Sequence, residues 1–73
     1  MTPKDKKNIE DAEREGIPIF VFTAKDQLAF SVLNYYMHKC KNAGCNDTHI
    51  IGVIERMYEF EGWKLNNKVK LPD

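Results

Sequence analysis

His38, Cys40, Cys45 and His49 lie close together and carry the ligand types of a zinc site. Their spacing matches no common finger or knuckle. On a helical wheel His38 and Cys40 fall about 160° apart and point to nearly opposite faces. Cys40 belongs with the apolar residues, where a free cysteine packs as a small hydrophobe. The expectation is therefore a buried Cys40 with surface histidines, and no metal ligand is assigned. A Cys40–Cys45 disulfide would span a helix end but does not suit a reducing compartment.

Nucleophilic chemistry would have to come from Ser31, Thr23, Thr48, Cys40 or Cys45 with the two histidines, and none of these sits in a nucleophile motif. Cys45, between one helix end and the next helix start, is placed for a lowered pKa. An ordinary loop cysteine is the favoured alternative. Glu55 and Glu59 are four residues apart on a polar arc, the pattern of a solvated face rather than of acid–base work. The isolated glycines build no phosphate loop. The chain is expected not to be an enzyme, with no catalytic residue and no cofactor.

The charge balance also bears on partners. Lys plus Arg and Asp plus Glu both number 11, and by segment the charge is −1 for residues 1–16, +2 for 17–45, −2 for 46–65 and +1 for 66–73. Such a chain has no field suited to neutralising phosphates. The one nucleic-acid alternative is a local patch in which Lys25, Lys39, Lys41, Lys68 and Lys70 converge. A helix-turn-helix reader fits poorly, because its second helix would set Asp47, Glu55, Glu59 and Glu61 against only Arg56 and Lys64. No apolar run approaches the ~20 residues of a membrane span. With no signal-like stretch and only two cysteines, a cytoplasmic, reduced setting is expected.

The elements that position these residues are read from caps and periodicity. Thr2-Pro3-Lys4-Asp5 starts a helix, with Thr2 as N-cap and Asp5 closing a capping box, and Gly16 stops it. Its apolar face is thin, Ile9 and Ala12, so residues 1–15 form a peripheral helix outside a core of 17–73. Residues 17–23 are β-branched and aromatic with both alternating faces apolar, which predicts a strand covered on two sides.

A second helix follows over about 24–43, capped by Thr23 and Asp26. Its apolar residues, from Tyr35 through Leu28, Val32 and Leu33 to Phe30, sweep about 220°, roughly twice the stripe of a surface helix. It is expected to touch neighbours on two sides. Gly44 ends it, and Asn46 or Asp47 caps a third helix over about 47–65. Lys68-Val69-Lys70-Leu71 alternates as a weak strand that would pair antiparallel with Ile19–Phe22.

The predicted fold is one small α+β domain, mostly α: an antiparallel helical hairpin packed on one short buried strand, with the peripheral helix outside. The segment Ile17 to Asp26, the following Tyr35-Tyr36 and Cys40, then Phe60-Glu61-Gly62-Trp63 and a closing Leu71-Pro72-Asp73 resemble small uncharacterised proteins of phage, prophage and mobile-element origin. That resemblance spans residues 15–73. It implies an accessory role through protein contacts and transfers no functional residue.

Aromatics without an obvious seat supply the remaining functional signal. Trp63 lies off the stripe of its helix, and Phe30, Tyr35 and Phe60 lie at stripe edges. Edge aromatics either fold over the rim of their own core or form the hot spot of an interface. Phe30, Tyr35, Phe60 and Trp63 are accordingly the candidate interaction surface. The expected role is a non-catalytic accessory or protein-interaction module that self-associates, its partner a second copy or another protein, with no membrane.

Overall fold

A computed structural model describes residues 1–72; Asp73, the end of the closing Leu71-Pro72-Asp73, lies outside the described residues. Three helices make up the fold: α1 over Pro3–Glu15, α2 over Ala29–Ala43 and α3 over Asp47–Lys64. Each has a chemical start or stop. The Asp5 backbone N–H donates to Thr2 Oγ1 at 3.1 Å to open α1, and Gly16 closes it at φ 69°. Gly44 ends α2 at φ 79°, a left-handed conformation in which a Cβ would crowd the following carbonyl. Asn46 then caps α3, its Oδ1 accepting from the His49 N–H at 2.8 Å.

The three-residue link between α2 and α3 returns the chain antiparallel. Phe30, at the start of α2, lies under the Lys64 ammonium at the end of α3, and Tyr36 meets His49 near the start of α3. Between these points Met37, Val53 and Met57 form the buried core, flanked by Phe30, Leu33, Ile50 and Ile54. Ala29 and Cys40 are also buried. The core is thin: among the described residues no large side chain is fully buried.

No Cα of α1 comes within 8 Å of α2 or α3. Side chains make the link: Arg56 of α3 donates to Asp5 at 3.3 Å and to both carboxylate oxygens of Glu59 at 2.8 Å. Within α1, Lys7 pairs with Asp11 at 3.3 Å and Arg14 with Asp11 at 2.7 Å.

The α+β expectation is overturned, because the described residues contain no sheet and residues 17–23 form no strand. Far from being buried, Ile17, Ile19, Phe20 and Val21 are all exposed, Phe20 at 82%. A strand needs a hydrogen-bonding neighbour, and the tail does not supply one there. It docks further along, where Lys70 N–H donates to the Lys25 carbonyl at 3.0 Å and Gln27 N–H to the Lys70 carbonyl at 2.8 Å. The result is one isolated, parallel bridge between Asp26 and Lys70 rather than an antiparallel pair with Ile19–Phe22.

That bridge also explains why α2 begins at Ala29 and not near residue 24. The Asp26 carboxylate accepts from the Leu28 N–H at 2.8 Å, folding residues 24–28 into turns, and Thr23 contributes only its backbone carbonyl to Asp26 N–H. The expected Thr23–Asp26 capping box is replaced by an Asx turn, and α2 starts without a side-chain cap.

Candidate interaction surface

The apolar sweep of α2 divides into two halves of about 100° each. Ala29, Cys40, Leu33, Met37 and Phe30 occupy one half and are buried or half-buried, the last three packed with the core residues of α3. Tyr35, Leu28, Val32 and Tyr36 occupy the other, and all four are exposed, from 41% at Val32 to 65% at Tyr35. One neighbouring helix covers about 100° of stripe. The second neighbour that the sweep calls for is missing, because the expected strand never forms.

Lys39 lies within the bare half, its ammonium 5.7 Å from the centre of the Tyr35 ring. At the other margin, Tyr36 Oη and His49 Nε2 lie 3.1 Å apart. Hydrogen bonding with Cys40, then burial, then the charges of Cys40 and Cys45 push the Tyr36 phenol above its ordinary pKa. The Cys45 thiol is likewise raised, first by desolvation and then by Cys40, opposite to the lowered value its place before α3 suggested. Both cysteines are free thiols.

Of the four residues singled out beforehand, Tyr35 and Trp63 are exposed, whereas Phe30 and Phe60 are half-buried. Phe30 belongs to the α2–α3 seam, where Lys64 stacks 5.7 Å above its ring. The Trp63 carbonyl accepts from Asn66 N–H and from Asn67 Nδ2, so the tail turns back at this residue and α3 stops. Leu28, Val32 and Tyr36 fall within the wide apolar arc, and Ile17–Val21 within the expected buried strand, yet all are exposed. The signal that could have identified them as surface was the width of the arc itself, too great for a single packed neighbour.

Two recesses flank the hairpin. One, of about 500 Å³, lies between the start of α1 and α3 and holds Asp5, Tyr36, His49 and Arg56. Four of its polar side chains are engaged with one another, Arg56 with Asp5 and Tyr36 with His49. A smaller one of about 330 Å³, lined by Phe30, Met37, Ile54, Met57, Tyr58 and Glu61, continues the hydrophobic seam. Among the described residues no three His, Cys, Asp or Glu side chains converge as a metal site.

The five lysines of the nucleic-acid alternative fall into two groups. Lys25 and Lys70 are joined by backbone at the start of α2, with Lys68 beside them, while Lys39 and Lys41 lie in its last turns. Rising 1.5 Å per residue, the helix holds the groups roughly 15 Å apart along its axis. Among the described residues no helix is long and apolar enough to cross a membrane. No family model, curated protein or solved structure matches the chain.

Proposed function

We propose that this protein is a non-catalytic interaction module that associates with itself and acts as an accessory through protein contacts. The observation that carries this reading is the surface it leaves uncovered. A folded chain of 8.5 kDa is expected to expose about 4,700 Å², against the 5954 Å² found here. The excess, about 1,300 Å², exceeds the ~800 Å² that each partner contributes to an ordinary stable interface. The radius of gyration agrees, at 13.4 Å against about 11 Å for a compact chain of this length. Much of the exposed surface is apolar, including Ile19, Phe20, Val21, Val32, Tyr35 and Tyr58, and a net charge of zero gives little repulsion between copies.

Sedimentation equilibrium across a range of concentrations tests this directly. A dimer that dissociates on dilution is the expected result. A clean monomer at high micromolar concentration would rule out self-association. Nucleic-acid binding, the alternative, would instead show as association with generic DNA or RNA that weakens steeply with salt.

A further inference from the structure

The geometry points to the occupant of the bare α2 face: residues 17–22 of a second copy, seated in extended form along Leu28, Val32, Tyr35 and Tyr36, each copy giving its segment to the other. This inference rests on the self-association proposed above and specifies its surface.

Three observations carry it. First, the two surfaces are the uncovered halves of one expected contact. Residues 17–22 are β-branched and aromatic on both faces, and among the described residues their only backbone hydrogen bond is Ile17 N–H to the Ala12 carbonyl at 2.9 Å. Five of the six are exposed, Phe22 alone being half-buried. Seated on the side chains of a helix, the segment keeps its backbone groups toward water, so the contact rests on its apolar side chains. Within the chain it is tied at one end to α1 by that bond and at the other to the tail by the Asp26–Lys70 bridge.

Second, the lengths agree. The helix from Leu28 to Lys39 rises about 16 Å, and an extended chain from Ile17 to Phe22 spans about the same.

Third, charge fixes the direction. With the segment antiparallel to the partner's α2, Phe22 falls near Leu28 and Glu15 near Lys39. Lys39 is the one charge on the bare face, and Glu15, exposed at the end of α1, forms no ion pair among the described residues. The outer side of α3 is a poorer seat: its Ile51, Tyr58 and Leu65 recur only once in seven residues, with Glu55 between the first two. A reciprocal seating is self-complementary and closes on a two-fold axis.

The test uses the full chain. Phe20→Asp and Val32→Asp are each expected to weaken the dimer about thirtyfold or more, as loss of an interface hot spot does, with the helical circular dichroism unchanged. Lys39→Glu and Glu15→Lys are each expected to weaken it about fivefold, and together to restore it. On the unaltered chain, isotope-filtered NMR of mixed labelled and unlabelled copies should show cross-peaks between the Phe20 ring of one and the Val32 methyls of the other. A dimer that lacks those cross-peaks, or that survives Phe20→Asp and Val32→Asp unchanged, overturns the inference and leaves self-association standing. A double charge variant no tighter than the single ones overturns the antiparallel direction. A wild-type monomer at high concentration overturns both.

Discussion

Asp5 ties α1 to α3 through Arg56. Its carboxyl is held below its ordinary pKa of 3.8, first by the Thr2 side chain, then by the Thr2 backbone and by Arg56, with burial opposing. A carboxylate depressed in the folded state stabilises above its unfolded pKa, and that contribution is lost as pH falls through the folded value. The N-terminal cap of α1, and with it the pairing to Arg56, should therefore hold above pH 3.8 and loosen below it, while the α2–α3 seam, whose core is Met37, Val53 and Met57, is indifferent to that proton. Amide exchange followed through an acid titration checks this. Residues of α1 should lose protection before Met37 or Val53, and simultaneous loss in all three helices would contradict it. Arg56 is the other half of the link, and it is also raised in pKa, with the Glu59 hydrogen bond and charge ahead of Asp5 among the causes and burial opposing. Replacing Arg56 with Met should free α1 at neutral pH as acid does in the native chain.

At the scale of elements, the helices were legible because their ends are written in side-chain chemistry. Thr2, Gly16, Gly44 and Asn46 mark boundaries by hydrogen bonding or by positive φ, both of which are local. The strand was not legible, because residues 17–23 have the composition of a strand but a strand is a relation between two segments. Its intended neighbour was captured elsewhere by Lys25 and Gln27. Likewise the 220° sweep of α2 was correct as a pattern and mistaken about who covers it.

Two glycines test the local account. Gly44 sits at φ 79°, so Gly44→Ala should cost about 1–2 kcal/mol from backbone strain alone. Gly52 lies inside α3 with open space where a Cβ would be, so Gly52→Ala should stabilise by up to about 1 kcal/mol. Urea denaturation of the two variants should move in opposite directions. Equal destabilisation would mean that the interior of α3 is more crowded than described.

For the whole molecule, the balance of buried and exposed surface outweighs any single residue. Among the described residues six are buried, three of them alanine or cysteine, and they cannot cover the large apolar side chains that remain outside. Below about 70–80 residues a lone core rarely supplies more than a few kcal/mol, so stability is expected to rise with protein concentration as copies associate. A thermal midpoint that increases from low micromolar to high micromolar protein would show it. A midpoint independent of concentration would mean that the thin core suffices alone.

The interval between α1 and the hairpin is open to proteases. Residues 18–22 carry aromatic side chains on exposed backbone that makes no backbone hydrogen bond among the described residues. Chymotrypsin should cut first after Phe20, the more exposed of the two aromatic sites there. Because no Cα of α1 comes within 8 Å of the other helices, that one cleavage would leave two fragments joined through side chains, the Arg56–Asp5 pair among them. Protein concentration would then act as the protectant, and the half-life of an intact chain would lengthen as the solution is made denser.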